Sequence, residues 1–187
     1  MTTKDLVLSA LFTAIIVVLG LIPPVTLGFI PVPITAQSMG VMLAGCIIGA
    51  RRGALSYVLL VVLVAIGLPV LSGGRGGLGV LMGPTAGYIL GWIIGTFVTG
   101  LIAERLVREN QSAARQVAGF LAASLIGGVV VVYAIGIPWV SLAAGTPLDK
   151  VLLGSLAFIP GDILKAAIAS LAARAVMVGY PLLPQRA

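Results

Sequence analysis

Residues 151–173 read VLLGSLAFIPGDILKAAIASLAA, and the eight in the middle, Phe158 to Lys165, decide how the chain is built. Everything around Asp162 and Lys165 is apolar or small, as in a segment buried in lipid, yet two opposite charges sit inside it. A charge at the centre of a membrane helix costs roughly 2.5 to 3.5 kcal/mol on insertion, so charges there mark a functional interior face. Three residues span about one helical turn, which puts Asp162 and Lys165 on one face, able to meet each other or a common ligand. Two readings stay open at this level: a mutual salt bridge that fastens a bundle, or a polar grip for a small molecule.

Composition extends the membrane reading to the whole chain. Of its 187 residues 60% are hydrophobic and only 9% charged, against about 25% charged in soluble domains; mean hydropathy is +1.22. Six apolar segments emerge, at about 5–22, 36–50, 53–71, 84–103, 114–136 and 150–178, near the length of a membrane-spanning helix. Alternating apolar and polar stretches of about ten residues, the pattern of a membrane barrel, are absent. The expected fold is therefore an all-α membrane protein: six transmembrane helices in one compact bundle over residues 1–187. The first run is expected to be a retained span rather than a cleaved leader.

Two connections are unusual. The stretch PPVTLGFIPVPITAQ, residues 23–37, has four prolines that forbid a continuous helix and apolar side chains that suit no solvent loop; it reads as a lid or re-entrant segment. Residues 72–87, SGGRGGLGVLMGPTAG, are rich in glycine, either as a flexible hairpin or as irregular backbone lining a cavity, the setting in which membranes tolerate it. Basic residues favour cytoplasmic loops. With the amino terminus inside, Lys4, Arg51, Arg52, Arg105, Arg108, Arg115, Arg174 and Arg186 lie on or near the inner side, and only Arg75 and Lys150 fall in outer loops. Both termini are thus expected in the cytoplasm, with outer loops at about 23–35, 72–83 and 137–149. Asp162 then lies near the outer mouth, with Lys165 about 4.5 Å deeper.

Small residues recur at every fourth position: Gly45, Gly49 and Gly53; Gly87, Gly91 and Gly95; Ala10 and Ala14. Such rows let helices approach closely, and the glycine rows are expected to serve packing within the chain. Several chemistries are excluded. Histidine is absent and Cys46 is the only cysteine, so the commonest general base, the commonest metal ligand and an intramolecular disulfide are all missing. No phosphate-binding GxxxxGK[ST] occurs, and the basic residues do not cluster with aromatics as a nucleic-acid surface would. Recognition remains: an acceptor at Asp162 and a donor at Lys165 suit a small molecule bearing both N–H and C=O groups. Tyr88, Phe158 and Trp139 are candidates to cover its apolar parts, Trp139 equally a member of an interfacial aromatic belt.

Three motifs carry a resemblance: PVPITAQ at 31–37, GLPVLSGGRGGLGVLMGPTAGYILG at 67–91 and FIPGDILK at 158–165. In these, and in size and loop positions, the chain resembles the biotin-specific substrate-binding subunit, or S component, of energy-coupling-factor vitamin transporters, the BioY family. The resemblance implies a non-enzymatic protein of the bacterial cytoplasmic membrane that captures biotin from outside. Its partners would be a transmembrane coupling subunit and a pair of cytoplasmic ATPases, within membrane lipid. It implies that Asp162 and Lys165 contact biotin, through its ureido ring or, for Lys165, its valerate carboxylate. An amide is expected among the ureido contacts of relatives. The only asparagine, Asn110, falls in a predicted inner loop, leaving Thr85, Tyr88 and Gln37 to stand in. The resemblance also implies that Ala10 and Ala14 dock on the coupling subunit. Rival readings are an S component for another vitamin, an intramembrane enzyme using Asp162 and Lys165, or a purely structural subunit.

Overall fold

A computed structural model describes residues 2–184, so Arg186 lies outside the described residues. Among them the chain is helical, with two isolated β-bridges. The helices are α1 (Thr3–Gly20), α2 (Gln37–Ala65), the short α3 (Leu78–Met82), α4 (Ala86–Leu106), α5 (Ala113–Leu125), α6 (Val132–Ala144), α7 (Leu148–Ser155) and α8 (Ile159–Gly179). A π-helical stretch, Ile126–Val131, joins α5 to α6, and a 3₁₀ turn, Leu156–Phe158, joins α7 to α8. Five helical stretches are long and apolar enough to cross a membrane: Thr3–Gly20, Gln37–Ala65, Ala86–Leu106, Ala113–Ala144 and Leu148–Gly179.

The expected segments 36–50 and 53–71 lie in one of these five, α2, and its interior holds the reason. Gly49 has φ 83° and ψ −178°, a conformation essentially closed to residues with a Cβ. There the helix doubles back. Tyr57 donates from its hydroxyl to the Gln37 carbonyl at 2.7 Å, whereas twenty residues of straight helix would separate the two by about 30 Å. The arms 37–48 and 50–65 are therefore antiparallel. The second arm runs alongside α1 in the same direction, for Ser9 Oγ donates to the Arg52 carbonyl at 3.0 Å and Thr13 Oγ1 to the Ser56 carbonyl at 2.9 Å. Helix ends at Ala65 rather than 71, followed by Gly67 at φ 97° and Pro69.

A second correction concerns 137–149, expected as a loop. Helix α6 continues through Pro138 to Ala144 and α7 begins at Leu148. Proline removes one hydrogen bond from a helix, but inside a helix bundle neighbouring groups accommodate that loss; the π stretch Ile126–Val131 ends seven residues upstream of Pro138. The glycine rows pack within the chain, as expected. A Cβ on Gly45 would meet Thr99 at 2.7 Å, on Gly53 Thr96 at 2.8 Å, and on Gly95 Val132 at 2.6 Å; Gly87 lies under Trp139.

The bundle has two distinct ends. At one, Arg52 Nε pairs with Asp5 Oδ1 at 2.6 Å, Arg52 Nη1 donates to the Leu182 carbonyl at 3.2 Å, and Glu104 accepts from the Ala50 amide at 2.8 Å. At the other end lie the connections 21–36 and 66–85. The proline-rich one is no solvent loop: Val25 and Ile34 bond as an antiparallel bridge, Ile30 and Val32 are buried, and Ile30 lies on Gly154 of α7. Large apolar side chains such as Leu11, Val18, Leu142, Leu164 and Leu171 remain exposed on the outside of the bundle, where lipid rather than water suits them.

Candidate functional site

Beneath the proline-rich connection a cavity opens, walled by that connection, α2, α4, the π stretch, α6 and α8. Asp162, Lys165, Tyr88, Thr85 and Gln37 all line it. Helix α8 delivers the charged pair because Pro160, at its first turn, pre-sets the helical φ where no amide donor is needed. Asp162 follows in that turn, only 5% exposed, where the helix dipole favours a carboxylate. Oδ1 accepts from Lys165 Nζ at 2.9 Å and Oδ2 from the Tyr133 hydroxyl at 2.6 Å. Lys165 Nζ also donates to Ser38 Oγ at 3.0 Å.

The pair is thus a salt bridge and a cavity wall at once, and hydrogen-bond capacity separates the two roles. A carboxylate offers about four lone-pair sites and an ammonium three donors. Two sites on Asp162 and two donors on Lys165 are in use, which leaves the pair able to accept N–H groups and to donate to a carbonyl. Around it stand aromatic rings. Tyr133 meets Tyr88 edge-on at 6.0 Å between centroids and Phe158 at 6.5 Å, and Trp92 leans on Tyr57 at 5.7 Å. Ser155 donates to the Val151 carbonyl at 2.7 Å, so the 3.1 Å contact between Tyr88 and Ser155 has the tyrosine as donor.

Of the lining residues that escape a reading of the sequence, four bear on the chemistry of the cavity. Tyr133 is a single polar atom in the run VVVYAIG, Ser38 is one position past a better-marked Gln37, and Trp92 is one of two tryptophans. Trp139, the other, turns its Nε1 to the Gly83 carbonyl at 3.0 Å and does not line the cavity. Arg75, expected in an outer loop, lines the cavity from the glycine-rich connection. Burial lowers its pKa from the usual guanidinium value, yet a guanidinium stays charged; a partly desolvated cation in a cavity wall seeks an anion. Gln37 also departs from expectation, since its carboxamide is bonded to protein: Nε2 to the Ile16 and Val70 carbonyls, Oε1 to Ser72. Ala10 and Ala14 are exposed on α1.

The BioY family model matches residues 1–181. The chain belongs to the BioY family. This BioY-family chain is 62% identical over 187 residues, all of both chains, to the biotin transporter BioY of Rhizobium etli. It is 46% identical over 182 residues to the biotin transporter BioY of Rhodobacter capsulatus, covering 92% of this chain and 93% of that one. It also superposes, with a TM-score of 0.86 and 37% identity over 95% of each chain, on a crystal structure of the S component for biotin from an ECF-type ABC transporter.

Proposed function

We propose that this protein is the biotin-capturing S component of an energy-coupling-factor transporter. It is an integral membrane protein and not an enzyme. The observation that carries the reading is the Asp162–Lys165 pair, held by Tyr133 and Ser38 yet with donors and acceptors to spare, in an aromatic-lined cavity. A ureido ring presents two N–H groups and one carbonyl, the complement of that capacity; Asp162 accepts from the first and Lys165 donates to the second. Tyr88, Trp92 and Phe158 cover the apolar rings and tail, and Thr85 stands beside Tyr88 at the start of α4. Arg75 takes the valerate carboxylate. Purified protein titrated with biotin, thiamine and riboflavin tests the assignment: saturable binding of biotin alone is expected, and equal binding of another vitamin refutes it.

Arg75 makes a sharper prediction. Replacing it by glutamine removes a charge-assisted bond, so the preference for biotin over its neutral amide falls by about tenfold or more, measured by equilibrium binding. In the membrane the chain crosses six times, the two arms of α2 counting separately because the chain reverses at Gly49. Both termini face the cytoplasm of a bacterial cell and the cavity faces out, as the basic residues favour. The protein works with a transmembrane coupling subunit and an ATPase pair, without nucleic acid. The exposed Ala10 and Ala14 let a partner helix approach closely. Their joint replacement by tryptophan is expected to leave biotin binding intact while abolishing co-purification of the coupling subunit; undiminished co-purification would put the interface elsewhere.

A further inference from the structure

We infer that Gln37 is a positioning residue, whose buried carboxamide holds the turn 71–75 so that Arg75 faces the carboxylate end of the ligand. The inference rests on the reading of Arg75 given above and adds the device that aims it. Gln37 is fully buried, and its side chain has no capacity left for a ligand. Nε2 donates to the Val70 carbonyl at 2.9 Å and to the Ile16 carbonyl of α1 at 3.2 Å, while Oε1 accepts from the Ser72 amide at 2.9 Å and from the Ser72 hydroxyl at 3.3 Å. Both amide hydrogens and both oxygen lone pairs are therefore used.

The pattern is specific. Bonding the carbonyl of residue 70 and the amide of residue 72, the carboxamide offers an extended chain the donor and acceptor that a neighbouring strand would. Just beyond, the chain turns tightly: Leu71 and Arg75 exchange backbone hydrogen bonds at 3.0 and 3.1 Å, around Gly73 and Gly74 at φ 78° and 68°. Arg75 Nε then donates to the Ser72 carbonyl at 3.1 Å. Gln37 grips Ser72 by its amide and hydroxyl, Ser72 grips Arg75 by its carbonyl, and the guanidinium is set against the cavity. The Gln37 main-chain carbonyl accepts from Tyr57 at 2.7 Å, which anchors the grip in both arms of α2.

Two substitutions loosen the grip differently. Gln37→Asn keeps an amide but retracts it by one carbon–carbon bond, about 1.5 Å; Gln37→Met keeps the length and removes the polar atoms. Each is purified as the full chain, checked for folding by gel filtration and thermal melting, and titrated with biotin and biotin amide beside wild type, Arg75→Gln and the double variants. The folded Gln37 variants are expected to lose most of the preference for biotin while their affinity for the amide stays within about twofold. In the Arg75→Gln background neither adds a further loss. A wild-type preference in either folded variant, or an equal loss of biotin and amide affinity, overturns the inference. Arg75→Gln separates the causes: if it abolishes the preference and the Gln37 variants keep it, only the positioning role is wrong, whereas a preference surviving Arg75→Gln removes the reading of Arg75 and the inference with it.

Discussion

Asp162→Ala is expected to weaken biotin binding by about 2 to 5 kcal/mol, the range for truncating one partner of a buried charge pair, or roughly 30-fold to a few thousand-fold in Kd. The substitution acts on binding and on the fold. The ureido N–H groups lose their acceptor, and the groups Asp162 holds are orphaned: the Lys165 ammonium keeps only Ser38, and the Tyr133 hydroxyl, now at 2.6 Å from the carboxylate, has no acceptor there. A buried polar group without a partner costs its full desolvation. Asp162→Asn retains one acceptor and the side chain's shape, and falls between wild type and alanine. The double variant Asp162→Ala, Lys165→Met removes the orphaned charge, so its thermal stability recovers while biotin binding does not. Calorimetric titration with biotin measures all three, and undiminished affinity of Asp162→Ala would falsify the assignment of the pair to the ligand.

The charged pair was legible in the sequence because its chemistry is local: two ionisable groups one turn apart in an aliphatic run have few explanations. Tyr88, named from the sequence as an apolar cover, and Thr85 and Gln37, named only through the resemblance, also line the cavity. What escaped needs the third dimension. Tyr133 looks like any aromatic in an apolar span, and only the tertiary fold brings its hydroxyl to Asp162, 29 residues away. Arg75 is a loop charge until the turn at Gly73 and Gly74 folds it inward. Gln37 carries the residue type a ligand contact needs, but its hydrogen bonds go to Ile16, Val70 and Ser72, partners 21 to 35 residues away. The stretch 137–149 misled for another reason: Pro138 stops a helix in water more readily than inside a bundle, where neighbours replace the lost hydrogen bond.

Gly49 shows the same limit and carries the largest expected effect on folding. Spaced four residues from Gly45 and from Gly53, it reads as one member of a packing row, yet its own part is to reverse the chain at φ 83° and ψ −178°. Gly49→Ala imposes about 1 to 3 kcal/mol of backbone strain. Its Cβ would also come within 2.6 Å of Glu104 Oε1, the atom that accepts from the Ala50 amide at 2.8 Å and so caps the second arm of α2. Displacing a cap costs about 1 kcal/mol more. Together these approach a large share of the 5 to 15 kcal/mol by which proteins are stable, so the melting temperature should fall by roughly 10 °C, read by thermal unfolding in detergent. Gly28→Ala, where nothing lies within 4 Å of the added carbon, should change it little. Gly100→Ala strikes the same joint from α4, against the backbone of Ala50, so the two losses should not add. The joint lies about 17 Å along the first arm from Ser38, at the end of the bundle away from the cavity. The fraction of Gly49→Ala that folds should therefore bind biotin as wild type does. A weakened Kd in that fraction would mean that the hairpin turn and the cavity are coupled along the arm, and that Gly49 shapes the site as well as the fold.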